Sequence, residues 1–231
     1  MGNKRDSIHP FEKTFKENIK TFASKLCEER SPEQRAHESD EVFKRRKEFD
    51  LKEGFSGFTN KISEGIDNFK KSHKHKKIAP ILKKIDLCQS IDPKFAEEKF
   101  LQEILSISEN EFLLLYQVAG EGIDTENFAA SSSMYMLLCL LNPSISLNWM
   151  GLGMSELLQG NISEAKQVYD FALELDKENP SLNLYAAECN LSLGNYDEAL
   201  IQAENALRIS KEDPELVDIA KGIKQEAILK K

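Results

Sequence analysis

The chain has 231 residues, 40% of them apolar, with 31 Lys and Arg against 39 Asp and Glu and a net charge of −8. That is enough apolar material for a real core in one or two domains. No apolar run approaches the roughly 18 residues that cross a bilayer, and the first residues lack the apolar core of a secretion signal. The expected setting is therefore the cytosol, with no stable membrane insertion.

The opening Met1-Gly2-Asn3-Lys4-Arg5-Asp6 begins like an acylation signal, but Asp6 stands where Ser or Thr is required. Phe11, Phe15, Ile19, Phe22 and Leu26 then recur at three- and four-residue steps, predicting an amphipathic helix that Ser31-Pro32 stops. A highly charged stretch over 33–53 leads to a second stripe of Phe55, Phe58, Ile62, Ile66 and Phe69. The run Lys70-Lys71-Ser72-His73-Lys74-His75-Lys76-Lys77 reads as a linker. His73 and His75 have no carboxylate or thiolate company there, which makes a poor metal site.

Through residue 77 the chain carries 19 basic and 14 acidic residues, and beyond it 12 basic and 25 acidic. A basic run with no recognition motif, ahead of an acidic domain, does not make a nucleic-acid binder. Residues 1–77 are thus expected to form a charged amphipathic N-terminal extension. Helices this short and charged are marginal alone, so the extension docks on the rest, pairs with another chain or stays partly disordered. Residues 78–111 are expected to hold pre-repeat helices.

From there a period of 34 residues governs the chain. Leu152-Gly153, Gly160-Asn161, Glu164-Ala165 and Ala172-Leu173 recur as Ala186-Ala187, Gly194-Asn195, Glu198-Ala199 and Ala206-Leu207, and Val118-Ala119 and Phe128 stand one period earlier. A 34-residue helix–turn–helix repeat is the tetratricopeptide signature. The small residues stand where two helices must approach closely. Gly160 and Gly194 suit a left-handed helix end, and Asn161 with Glu164, like Asn195 with Glu198, reads as an N-cap with its capping-box partner. The expected fold is all-α: three tetratricopeptide-like helix pairs in a right-handed superhelix over 112–231, closed by a C-terminal capping helix and preceded by the charged extension.

The scattered Cys27, Cys88, Cys139 and Cys189 have no metal-binding or disulfide spacing, and Cys139 and Cys189, inside the repeats, read as small buried hydrophobes. There is no phosphate-binding loop, no H-E-x-x-H and no G-x-S-x-G, and all four histidines, His9, His37, His73 and His75, precede the repeats. Neither an enzyme nor a cofactor site is expected. What remains is the concave face of the array, to which each first helix presents its second, fifth, ninth and twelfth positions. These are Leu113, Tyr116, Gly120 and Ile123, then Leu147, Met150, Met154 and Leu157, then Ser181, Leu184, Glu188 and Leu191. The apolar members, Leu113, Tyr116, Ile123, Leu147, Met150, Met154, Leu157, Leu184 and Leu191, form the candidate client-binding groove, suited to apolar side chains of a peptide. Methionine adds adaptability. The other reading makes them core, covered by the front segment.

Several strings resemble one family, the class II chaperones of bacterial type III secretion in the SycD/LcrH/IpgC group. They are Leu105-Ser106-Ile107-Ser108, Leu115-Tyr116 with Ala119, Leu138-Cys139-Leu140-Leu141-Asn142, Gly151-Leu152-Gly153 and Ala186-Ala187-Glu188-Cys189. The resemblance runs over 95–231. It implies a cytosolic, non-enzymatic chaperone that keeps hydrophobic translocator proteins soluble by holding a short segment in the groove. It also implies a homodimer through a pre-repeat helix, for which Ile81-Leu82-Lys83-Lys84-Ile85-Asp86-Leu87 is the candidate. Tyr116 falls where the family presents an aromatic, and Ile123 replaces a second one. The front departs most from the family, with about 94 residues before the resemblance starts. A tetratricopeptide adaptor that bridges parts of a larger assembly is the alternative.

Overall fold

Every regular element among the described residues of this computed structural model is an α-helix. The structure describes residues 20, 23, 24, 27, 28, 30–54, 62, 75–86, 99–210 and 213–231. The stripe from Phe11 to Leu26, all of the second stripe except Ile62, Lys70 to Lys74 of the basic run, and Cys88 lie outside them. The chain divides into two units, one of residues 1–118 with 136–144 and the other of 119–135 with 145–231.

In the first unit, α1 (Pro32–His37) and α2 (Asp40–Gly54) follow the expected stop at Ser31-Pro32. Arg30 organises their start: its guanidinium lies 4.4 Å over the Phe43 ring and donates to Asp40 Oδ1 at 3.0 Å and to the Glu38 carbonyl at 2.7 Å. α3 (His75–Asp86) begins inside the basic run, so its last three residues are helical and not linker. Ile78, Ile81, Leu82 and Ile85 of α3 are buried within the chain, and the face left exposed carries Lys76, Lys77, Pro80 and Lys83. A second copy docking on α3 would meet that side, not the apolar one.

α4 (Leu101–Ile104) is a single turn, and α5 (Glu109–Asp124) follows after Ser108. Ser108 and Glu111 cap one another, with the Ser108 amide and hydroxyl donating to Glu111 Oε2 at 2.9 and 3.0 Å and the Glu111 amide donating to Ser108 Oγ at 3.3 Å. Lys84 of α3 donates to the same carboxylate at 2.8 Å and to the Ser106 carbonyl at 2.8 Å. Lys84 first, and then the Ser108 amide, pull the Glu111 carboxyl down to about 2. This one carboxylate therefore both starts α5 and ties α3 to it.

In the second unit, α7 (Ser146–Leu158) packs on α8 (Ile162–Leu175), α8 on α9 (Pro180–Ser192), α9 on α10 (Tyr196–Ile209) and α10 on α11 (Pro214–Lys230). α5 and α6 (Phe128–Leu141) contribute their 119–124 and 128–135 stretches. Ala165, Ala172, Ala199 and Ala206 are buried at the expected close approaches. Gly153 shows how tight these are: a Cβ there would lie 2.5 Å from Tyr169 Cε1. Tyr135, one period before Tyr169, occupies the space over Gly151 in the same manner. Trp149 meets Phe171 edge-on at 4.5 Å.

Gly160 and Gly194 do take the left-handed conformation, at φ of +82° and +77°. The asparagines after them behave differently from the expectation. Neither Asn161 nor Asn195 caps its helix through the side chain. Asn161 Nδ2 instead donates back to the buried Glu156 carboxylate at 2.7 Å, and Asn195 Nδ2 to Asn190 Oδ1 at 3.0 Å. Each also sends its backbone N–H to the carbonyl of that same residue, at 3.0 and 2.9 Å. The physical reason is priority of burial: Glu156 and Asn190 are 3% and 1% exposed, and an unmet buried polar group costs more than an unfilled cap at a solvated helix end.

Side-chain caps occur instead one element later. Asn179 accepts from the Leu182 amide at 3.2 Å ahead of Pro180, and Asp213 accepts from the Glu215 and Leu216 amides ahead of Pro214. These two starts are 34 residues apart, as are the buried Ala186 and Ala220. α11 is therefore the first helix of a fourth repeat, and like a first helix it packs on both α10 and α9. At the positions equivalent to Leu184, Ala187 and Leu191 it carries Asp218, Lys221 and Gln225, all exposed, while Ile219, Ile228 and Leu229 of the same helix are exposed as well.

Two tests follow. Gly153→Ala is expected to destabilise the protein by about 1–3 kcal/mol through overpacking on Tyr169, and to cost nothing further in a Tyr169→Ala background, as in the Ala187 and Ala203 pairing one repeat on. Urea unfolding of the four variants measures that coupling. For Glu111 the folded pKa is depressed, so its stabilisation is full above the unfolded value near 4.5 and is lost as pH falls toward about 2. Acid unfolding of Glu111→Gln should lack that part of the pH dependence, and an unchanged profile would refute the assignment.

Candidate functional site

The candidate groove residues separate on burial. On α5, Leu113 is 53% exposed and Tyr116, one turn on, partly exposed; both belong to the first unit. In the second unit Ile123 is partly exposed. α7 carries the densest row: Leu147 is 47% exposed, Met150, Met154 and Leu157 are partly exposed, and Leu158 beside them is 43% exposed. These residues form one stripe at helical spacing, open to solvent on the side away from buried Trp149 and Leu152.

α9 differs. Leu184 is 4% exposed, packed with Ala187, Ala203, Ala206, Ala220 and Ile223, and Leu191 leans on the same cluster. Ala220 and Ile223 belong to α11, so the fourth first helix closes over this part of the repeat and takes Leu184 into the core. Of the expected groove residues on α9, Leu184 is not available to a ligand in this structure and Leu191 is only partly so.

What α9 does show outward is polar and aromatic. Tyr185 is half-buried and stacks on Tyr169 of α8, with ring centres 5.5 Å apart and 21° between planes. Glu188, one turn along, is exposed. The Tyr169 hydroxyl is buried without a hydrogen-bond partner among the described residues. Burial pushes the Tyr169 phenol well up, as it does Tyr185, and the Glu188 charge adds to both. Cys189 is pushed up to about 12, by burial first and then by Glu188 and Asp170, which leaves it an inert thiol. Sequence reasoning placed Glu188 among the inward positions but kept it out of the apolar groove, and it assigned Tyr185 no inward position. The signal was in the register, where Gly151 becomes Tyr185 and Met154 becomes Glu188.

Beneath the α7 row lies a hydrogen-bonded layer that fixes the helix positions. Ser131 Oγ donates to the Ala119 carbonyl at 2.8 Å and lies 2.9 Å from Ser155 Oγ, while Ser132 Oγ donates to Glu156 Oε1 at 2.5 Å. Among the described residues no group of His, Cys, Asp and Glu could hold a metal ion, and no helix is long and apolar enough to cross a membrane.

Residues 156–220 match the family model of the tetratricopeptide repeat. No curated protein matches the chain. Among solved structures, a type III secretion (T3SS) complex from Aeromonas hydrophila is similar over 57% of this chain and 88% of that one, at 21% identity and a TM-score of 0.53. The type III secretion translocator chaperone SycD of Yersinia enterocolitica is similar over 57% of this chain and 98% of its own, at 21% identity and 0.51. The CopN-Scc3 complex follows, over 55% and 75%, at 23% identity and 0.50. The chain thus has the all-α tetratricopeptide-repeat fold, shared with SycD, and the resemblance expected from its sequence holds at the level of fold.

The unpartnered phenol gives a test of the site's packing. Tyr169→Phe removes a buried hydroxyl that bonds to nothing described, so it should stabilise the free protein, by roughly 1 kcal/mol. A loss of stability in thermal or urea unfolding would show that the hydroxyl has a partner.

Proposed function

We propose that this protein is a cytosolic, non-enzymatic chaperone of type III secretion translocator proteins in a bacterium. The α7 row of Leu147, Met150, Met154 and Leu157, with Ile123 on α5, would receive an apolar segment of the client. The observation that carries the reading is this row itself: side chains half open to water, at positions where a repeat that clamps a peptide carboxylate would carry Lys, Arg and Asn. Two methionines in it let the surface adapt to imperfect ligands. The fold shared with SycD, a translocator chaperone, supports the reading, and so does the resemblance of the Ala186-Ala187-Glu188-Cys189 string to that family.

Shielding is the physical task. A translocator's membrane-seeking segment exposed in the cytosol would associate with its own kind. Covering it against a rigid helical row lowers that tendency without any chemistry. The extension over 1–77 and the helices of 78–111 would stand apart from this task as a charged arm and a support for the first repeat.

Met150→Asp with Met154→Asp tests the row, because both side chains are partly exposed and their replacement should leave the helices folded. After co-expression with a hydrophobic translocator encoded nearby, the wild-type chain is expected to hold it in solution. The double variant should lose at least about tenfold in capture with its circular-dichroism helix signal intact. Full capture by a folded double variant would place the client elsewhere.

A further inference from the structure

This inference rests on the proposed client groove and adds a chemical requirement on what fills it. The ninth position of successive first helices reads Gly120, Met154, Glu188 and Gly222, so the row changes from apolar to anionic between α7 and α9. Glu188 is exposed and has no hydrogen-bond or ion-pair partner among the described residues. Of the other acids in this unit, Asp170 pairs with Lys166 at 2.6 Å, Glu178 with Arg208 at 3.1 Å, Glu204 with Lys224 at 2.9 Å and Glu226 with Lys230 at 2.6 Å, while Glu164 and Glu198 stay exposed and unpaired among the described residues. Lys166, the cation close enough to act on Cys189, is thereby already engaged.

Tyr185 stands one turn before Glu188 on the same face of α9. One side of its ring is stacked on Tyr169, and the residue is only half-buried. Neither phenol has a hydrogen-bond partner among the described residues, and the Tyr169 hydroxyl is fully buried in that state. An unpaired carboxylate one helical turn from a half-buried aromatic ring, in a unit rich in acidic residues, is complementary to a cation. The lone carboxylate is too few ligands for a metal ion.

We propose that Glu188 and the free face of Tyr185 form a subsite for a basic side chain, Arg or Lys, of the client segment whose apolar residues lie on the α7 row. The carboxylate pairs with the cation, and the ring takes its apolar stem and part of its charge. α7 and α9 both pack on α8, which fixes the distance between the row and Glu188. The basic residue therefore stands at a fixed number of positions from the apolar ones.

Panning a random 12-residue peptide phage library on the full chain, and in parallel on Glu188→Gln, tests this. The expected outcome on the wild type is enrichment of apolar peptides with Arg or Lys at a fixed distance from Leu or Met. On Glu188→Gln the apolar residues should persist and the basic one should disappear. Replacing that Arg by citrulline in an enriched peptide should weaken binding about tenfold to the wild type and less than about twofold to Glu188→Gln. Apolar peptides enriched without a basic residue, or with one that Glu188→Gln selects equally, overturn the subsite and leave the groove standing. Absence of any apolar enrichment overturns the groove and the subsite together.

Discussion

The second unit depends on how closely its helices approach through residues with little or no side chain. Gly153 admits the Tyr169 ring to its backbone, and Ala165, Ala172, Ala199 and Ala206 do the same for their neighbours at zero or near-zero exposure. Interiors are packed densely enough that one added methyl group at such a contact must be accommodated by movement. Because the contacts recur every 34 residues, each helix pair is placed on the next in the same way. The outward positions of the first helices then line up without needing any interaction of their own.

The buried polar layer works with this spacing and not against it. Glu156 is held by Ser132 and Asn161, and its counterpart Asn190 by Gln202 and Asn195. Two neutral side-chain donors at 2.5 and 2.7 Å satisfy the Glu156 carboxylate, and satisfied buried groups specify one arrangement where purely apolar contacts would tolerate sliding. The same asparagines follow the left-handed glycines, so the turn geometry and the core polar contact are set by adjacent residues. This coupling explains why the capping role read from the Asn and Glu spacing fails. The spacing was real, but the asparagine amide faces a more costly alternative on its other side.

Much of the fold was legible because its determinants are local and periodic. A glycine at a left-handed helix end and alanines at close approaches announce themselves by residue type alone, and both glycines and all four alanines stand where that reading put them. The site was legible only in part. Leu147, Met150 and Met154, read from their repeat positions as groove residues, have access to water in the structure. It could not say that Leu184, at the same position as Met150, lies under α11, because that depends on a helix a period further along. The fourth-repeat character of α11 was written in Asn179-Pro180 and Asp213-Pro214, yet a single helix without its pair does not register as a repeat.

A scaffold held by small residues at its joints leaves its outward positions free to change without cost to the fold. That freedom explains how Gly151 and Met154 on α7 can become Tyr185 and Glu188 on α9 while Ala165 and Ala172 remain Ala199 and Ala206. The buried Tyr169 hydroxyl is the exception, since an unmet buried donor opposes folding, and packing alone would have been served as well by phenylalanine. Its ring lies against Tyr185 at the point where the row turns from apolar to anionic. The Tyr169 hydroxyl and the Glu188 carboxylate, which adds to the shift of that phenol, thus meet at one interface, α8 with α9. A ligand with an apolar part and a charged part would meet both where the row changes character.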